Sequence, residues 1–149
     1  MKHIKGDIFE SEEDVILHQV NCRGKMNSGV AKQVREKYPW VYGAYKNIYN
    51  KRGGEYLFGR ILRVFIDERR SVVNIFSQKD YGYDGAQYTD YEALRQCLTT
   101  INKECYGRSI AIPYRMGCCR GGGDWAVVSK MIEETLTDCD VTIYECDKG

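Results

Sequence analysis

Along this chain the spacing of apolar residues changes from segment to segment, and each change marks an expected boundary between strand and helix. The run at 15–20, Val-Ile-Leu-His-Gln-Val, is short and mostly apolar, as suits a strand buried on both faces, and a first strand is expected ahead of it at 2–6. His18 reads as an interior histidine held by hydrogen bonds. After a loop at 24–29, residues 30–38 take helical spacing. Pro39 then restarts a second helix that sets Trp40, Tyr42, Tyr45 and Tyr49 at roughly helical intervals, an aromatic stripe expected in the core. The runs at 60–66 and 71–76 form two strands, antiparallel because only the polar stretch Asp67-Glu68-Arg69-Arg70 joins them.

Thr89 followed by Glu92 has the capping-box spacing, and Ala93, Leu94, Cys97, Leu98 and Ile101 continue an apolar stripe, predicting a helix of about four turns. A strand at 108–112 ends at Pro113. Beyond a second glycine-rich loop, Asp124 can cap a helix that buries Val127, Val128, Met131, Ile132 and Leu136, and a last strand follows at 141–145. Strands interleaved with helices predict an α/β fold around a mixed or mainly parallel sheet.

Composition narrows the reading. With 149 residues and 43% hydrophobic side chains, the chain can fill one core but not two independent ones, so 1–149 is taken as a single domain. Lysine and arginine number 22 against 21 aspartates and glutamates, a net charge of +1 that argues against electrostatic capture of plain nucleic acid or an anionic membrane. Lys46, Lys51, Arg52, Arg60 and Arg63 are the one local concentration on which a nucleic-acid reading would rest. No apolar run approaches the ~20 residues that span a bilayer, and the N-terminus turns polar at once, so a soluble, unprocessed, cytoplasmic protein is expected. The seven cysteines are odd in number and show no Cys-x-x-Cys pair; Cys118 and Cys119 are adjacent, poor geometry for one zinc or one disulfide. Free thiols, no metal and no cofactor are expected.

Both glycine-rich segments fall between the end of a predicted strand and the start of a predicted helix. In an open α/β sheet, ligands bind beyond the carboxyl ends of the strands, and helix N-termini offer unpaired N–H groups to anions, so two such loops facing each other would make a phosphate cleft. The first loop, Asn21 through Ala31, matches neither Gly-x-Gly-x-x-Gly nor a Walker sequence. The second packs four glycines between 117 and 123, a density that costs chain entropy unless the backbone needs positive φ or close approach; a purely structural turn is the other reading.

Three separated motifs carry a resemblance: His18-Gln19-Val20-Asn21-Cys22 through Met26, Ser28-Gly29-Val30-Ala31 and Lys37-Tyr38-Pro39; Ile112-Pro113 with Met116-Gly117-Cys118; and Gly121-Gly122-Gly123-Asp124-Trp125. Together with the opening Lys5-Gly6-Asp7-Ile8 they resemble a macro domain, the ADP-ribose-binding family, across almost the whole chain. The resemblance implies a three-layer α/β/α fold with a central mixed sheet. It implies that Asp7 accepts a hydrogen bond from the adenine amino group and Ile8 offers its amide to the ring. Asn21 would touch the distal ribose, and Met26, Ser28, Gly29, Val30 and Ala31 would form the loop around one phosphate. Met116, Gly117, Cys118, Cys119, Arg120, Gly121, Gly122, Gly123 and Asp124 would wrap the other phosphate and the terminal ribose. A carboxylate in place of Gly122 would then block a phosphate site and leave the fold intact. Asp7 as a plain turn or cap residue stays open, as do Tyr81 and Tyr83 as surface residues instead of a cover on a sugar face.

For activity, the resemblance implies ADP-ribose binding and hydrolysis of ADP-ribosyl linkages on protein or nucleic acid, or of ADP-ribose 1″-phosphate; a non-catalytic reader module is the alternative. Many hydrolytic members carry a longer first loop with consecutive glycines and a following Asp, which this chain lacks. The shorter loop is more similar to the branch containing terminal ADP-ribose protein glycohydrolase, where a lysine attacks the ribose anomeric carbon and an aspartate assists. Lys79 and Asp124 are the matching candidates, with Asn21 or a substrate-held water as the other route; a solvated Lys79 and a helix-capping Asp124 remain the alternative.

Overall fold

A computed structural model describes residues 1–146, so the last three positions of the expected single unit lie outside the described residues. The strands are β1 (Lys2–Lys5), β2 (Val15–Asn21), β3 (Ile61–Phe65), β4 (Ser71–Gln78), β5 (Ser109–Pro113) and β6 (Asp140–Glu145). They form one sheet in the order β1-β6-β5-β2-β4-β3, parallel throughout except for β3, which runs antiparallel beside β4. The mixed sheet is the expected one. Every residue of β4 is buried and β2 is almost entirely so, because helices cover both faces.

Strand alternation divides the core in two. Val15, Leu17, Val73 and Ile75 face α4 (Tyr91–Glu104) and α5 (Trp125–Thr135), meeting Leu94, Leu98, Ile101, Val128 and Ile132. Ile16, Val20, Val72 and Phe76 face the other way, onto α1 (Gly29–Lys37), α2 (Pro39–Arg52) and α3 (Gly54–Leu57), where Val34, Val41, Tyr45 and Leu57 are buried. The fold is therefore the three-layer α/β/α arrangement.

Several local readings change. The cap of α4 is Asp90 and not Thr89: the Asp90 carboxylate accepts from the Ala93 amide at 2.9 Å, while the Thr89 hydroxyl is drawn away to the second glycine-rich loop. Asp124 does cap α5, accepting from the Ala126 amide at 2.9 Å, but Val127 turns to solvent because it lies off the Val128–Ile132 stripe. Of the aromatic stripe on α2, Tyr45 is fully buried, Tyr42 and Tyr49 are half-buried, and Trp40 is exposed, its indole N–H donating to the Phe65 carbonyl at 3.0 Å on the edge strand. A 3₁₀ turn at Ile8–Glu10 and the short α3 have no periodicity that sequence reading could catch. α3 begins at Gly54 for a steric reason: a Cβ there would collide with the Cys22 carbonyl. The seven cysteines are free. No helix among the described residues is long and apolar enough to cross a membrane.

His18 is buried between β2 and β4. Its Nε2–H donates to Asn74 Oδ1 at 2.6 Å, and the Asn74 amide is oriented by donating through Nδ2 to the Leu62 carbonyl at 3.0 Å. The proton on Nε2 leaves Nδ1 as an unpaired buried acceptor, so the expected satisfaction holds for one ring nitrogen only. Burial, against the opposing Asn74 bond, pushes the imidazole pKa down to about 4. Because the folded-state value lies below that of the unfolded chain, the unfolded chain takes up a proton first as pH falls. The stabilising contribution is whole above pH ~6.5 and lost towards pH 4, amounting to about 3 kcal/mol. Denaturant unfolding of the wild type and His18→Gln across this window should show the difference in stability shifting against the wild type by that amount; parallel curves would mean His18 is not a buried neutral histidine.

Candidate functional site: a cleft at the strand ends

Because β1, β6, β5, β2 and β4 run parallel, the loops leaving β1, β2, β4 and β5 emerge on one edge of the sheet. The chain passes from β4 across β2 to β5, and the sheet's connections diverge to opposite layers at this point. Such a divergence opens a crevice. Asp7 follows β1, the first loop follows β2, Lys79 follows β4, and the second loop follows β5, so the structure collects four of the expected site segments on this edge.

The first loop is held from within and from beneath. Asn21 Oδ1 accepts from the Arg23 amide at 2.9 Å, and its Nδ2 donates to the Lys25 carbonyl at 3.1 Å. The Tyr45 hydroxyl donates to the Asn21 carbonyl at 2.5 Å and accepts from the Gly24 amide at 2.8 Å; Tyr42 donates to the Gly24 carbonyl at 3.2 Å. Met26 is buried under the loop, and Val30 and Ala31 pack on the same core. Ser28 sits at the N-cap of α1 without a side-chain bond to the first turn, unlike Asp90 and Asp124 on α4 and α5. The first amides of α1 therefore lack the side-chain acceptor that the other two helices carry, which suits an anion.

The second loop is docked on the segment between β4 and α4. Gln19, on β2, donates through Nε2 to Gln78 Oε1 at 2.7 Å and Thr89 Oγ1 at 2.9 Å, and accepts from the Ser77 hydroxyl at 2.5 Å. Thr89 passes its own proton to the Gly117 carbonyl at 2.7 Å. The Tyr88 and Thr89 amides both donate to the Gly121 carbonyl, at 2.7 and 2.9 Å. A Cβ on Gly121 would collide with Thr89 Oγ1, and one on Gly122, at φ 69°, with the Ala86 carbonyl. Part of the glycine density thus serves packing of one loop on another. Any side chain at Gly122 would push the two segments apart, so the expectation that a carboxylate there leaves the fold intact is corrected. Arg115 opens the loop at φ 61°, a conformation non-glycine residues rarely take and one that concentrates at functional sites. Met116 and Cys118 face the core, whereas Cys119 and Arg120 are exposed.

At the rim, Arg23 pairs with Asp80 at 3.6 Å, and Arg120 stacks on Tyr83 with its guanidinium carbon 4.2 Å from the ring centre. These contacts join each glycine loop to the segment after β4. Asp7 is exposed and caps the 3₁₀ turn through the Phe9 amide at 2.9 Å, which uses one carboxylate oxygen; Ile8 behind it is buried. Lys79 is exposed, its amine 4.9 Å over the Phe58 ring beside α3. Asp124 lies in the opposite layer, where its amide donates to the Tyr91 hydroxyl at 2.9 Å. No hydrogen bond or ion pair joins Lys79 to Asp124 among the described residues. Burial raises the Cys22 thiol to about 12 and the Cys118 thiol to about 11, so both of these stay protonated. Sequence reading missed Gln19, Ser77, Gln78, Thr89 and Tyr45 as the groups that position the loops. The available signal was polar residues inside runs otherwise apolar enough for a core.

No protein-family model matches the chain. It is 27% identical over 150 residues to a DNA ADP-ribosyl glycohydrolase of Mycobacterium tuberculosis, an alignment covering 97% of this chain and 42% of that protein. It therefore spans less than half the length of such relatives. The human ADP-ribose glycohydrolase OARD1 is 25% identical over 150 residues, covering 95% of this chain and 89% of that one. Among solved structures, the macrodomain of Thermus aquaticus DarG superposes with a TM-score of 0.78 at 25% identity, covering 96% of each chain. Sheet order, loop placement and these likenesses agree: the chain has the macro-domain fold and is similar to the macrodomains of the DarG proteins.

Proposed function

We propose that this domain binds ADP-ribose along the strand-end cleft and hydrolyses ADP-ribosyl linkages, with an ADP-ribosylated macromolecule as substrate and nucleic acid as the favoured carrier. The observation that carries the reading is the order of groups along one edge. From β1 to β4 the edge crosses four inter-strand spacings of ~4.8 Å, about 19 Å in all, with Asp7 at one end and Lys79 at the other. A long two-ended ligand with a diphosphate in its middle fits this order. Adenine meets Asp7 and Ile8; the phosphates meet the amides of Ser28, Gly29 and Val30 on one side and of the 117–123 loop on the other. The terminal ribose then lies by Asn21 and Lys79. Neutral amides can bind a diphosphate without a basic pocket. The names of the relatives support a de-ADP-ribosylating activity, and the first of them supports DNA as carrier.

In this proposal Lys79 attacks the anomeric carbon. Its amine must first lose a proton; the nitrogen lone pair then forms a bond to carbon as the bond to the leaving group breaks, and the leaving group departs with that electron pair and a proton. Water next displaces the amine, giving free ADP-ribose and restoring Lys79. Asp124 assists proton movement with the carboxylate oxygen that the helix cap leaves unused, and Asn21 orients the ribose hydroxyls.

Calorimetry should show ADP-ribose bound by the wild type and weakened by roughly 1–3 kcal/mol in Asp7→Ala, with no such loss for a ligand lacking the base. Equal affinities would remove adenine from that end of the cleft. Lys79→Ala and Asp124→Asn should each lower release of ADP-ribose from ADP-ribosylated DNA by orders of magnitude while ADP-ribose still binds. Asparagine is chosen because it keeps the α5 cap, so a loss of turnover at unchanged stability reports on the carboxylate. Wild-type turnover in both variants would point to Asn21 or a substrate-held water. Tight binding with no release from ADP-ribosylated DNA, ADP-ribosylated protein or ADP-ribose 1″-phosphate would make the domain a reader.

A further inference from the structure

The net charge of +1 conceals a division along the chain. Residues 21–66 hold ten Lys and Arg against two Asp and Glu, while the remainder holds twelve against nineteen. That basic segment forms the first loop, the whole α1–α3 layer and the edge strand β3. Among the described residues, Arg23 alone of the ten is ion-paired, to Asp80 at the cleft rim.

In place of acids, the cations meet tyrosine rings. Arg35 lies 4.3 Å from the centre of the Tyr42 ring and Lys46 lies 5.4 Å from that of Tyr49. Arg52 and Arg60 lie 3.9 and 4.1 Å from that of Tyr56. Positions 42, 46, 49 and 52 share one face of α2, a helix of 14 residues and thus about 21 Å long. The row starts at the cleft: Tyr42 donates to the Gly24 carbonyl, and Lys46 and Tyr49 lie against Gly24 itself. On the α3 side, Lys79 rests over Phe58, so the row borders the end of the cleft assigned to the terminal ribose.

This pattern selects among polyanions. Arg35 and Arg60 each spend one N–H inside the fold, on Asn27 Oδ1 at 3.0 Å and on the Tyr56 carbonyl at 2.7 Å, and the remaining N–H groups of the stacked guanidiniums are left for phosphate oxygens. A guanidinium laid flat on a ring also offers its outer plane for a base to stack on. An acidic peptide would use the charge and leave those planes idle. We propose that the outer face of the α1–α3 layer, continued to Arg60 immediately before β3, is a track for a nucleic-acid strand, whose phosphates meet Arg35, Lys46, Arg52 and Arg60 while an ADP-ribosyl group on the strand enters the cleft. The catalytic part of this picture rests on the function proposed above; the strand contact does not.

The two are separated by measuring fluorescence anisotropy of an unmodified, labelled single-stranded oligonucleotide, which needs neither ADP-ribose nor turnover. Four phosphate contacts predict that log Kd rises with log salt at a slope of about 3, and Arg52→Gln with Arg60→Gln should lower the slope by about 1.4. Lys103→Gln with Lys130→Gln removes the same charge from α4 and α5 in the opposite layer and should leave the slope unchanged. Equal slopes in the two double variants overturn the track, as does a polyglutamate peptide that binds with the same affinity and the same dependence on Arg52 and Arg60. The Arg52/Arg60 variant should bind ADP-ribose as the wild type does; weakened ADP-ribose binding would place these arginines in the cleft and overturn a separate strand face. A wild type that fails to bind ADP-ribose yet shows the slope difference would leave the strand face standing and remove the cleft reading.

Discussion

The Thr89 hydroxyl is the joint on which the cleft depends. It accepts from Gln19 on the central strand and donates to the Gly117 carbonyl at the root of the second loop, while the amides of Tyr88 and Thr89 hold the Gly121 carbonyl at that loop's far side. Each bond is between groups largely removed from water, where leaving a partner unmade costs more than making it gains. The loop conformation is thereby set by the strand beneath and by the segment after β4, not by a ligand. With Thr89 committed to this junction, α4 takes its cap from Asp90, one residue later.

The first loop shows the same logic through another residue type. A single tyrosine, Tyr45, lies with its ring in the core and its hydroxyl between the Asn21 carbonyl and the Gly24 amide, so burying the ring fixes the loop. Burial raises that phenol far above its ordinary range, so it stays protonated and keeps its donor. Both loops are thus preorganised by neutral hydrogen bonds. A cleft built this way suits the diphosphate proposed above, which backbone N–H groups can bind, while ten of the lysines and arginines lie in the 21–66 segment of the first loop, the α1–α3 layer and β3.

Much of the fold was legible because its strands and the α4 stripe are governed by local periodicity: Leu94, Cys97, Leu98 and Ile101 are buried as their spacing required. What escaped depends on contacts between distant residues. Nothing near Thr89 announces that it will bond to Gly117 and yield the cap to Asp90. Nothing near Val127 tells that the stripe runs from Val128, and nothing near the four-residue α3 sets a period. At the site, loop glycines were visible but their purpose was divided. Gly121 and Gly122 are required by the close approach of residues 86–89, a demand that looks identical in sequence to a demand made by a ligand.

Net charge and the placement of charge carry different information. A sum of +1 describes a molecule without a far field, yet 21–66 is strongly basic and lies almost wholly in one layer because consecutive helices connect β2 to β3 on the same side of the sheet. Topology has converted a sequence asymmetry into a spatial one. The separation also keeps the two kinds of anion recognition distinct. Amides at the strand ends act over hydrogen-bond distances and need a diphosphate held in register. Exposed cations on α1–α3 act over the ~8–10 Å of the Debye length and weaken with salt. On the function and the strand face proposed above, a substrate that carries both a diphosphate and a polyanionic strand would engage the two at once, with the cleft fixing position and the outer face supplying encounter.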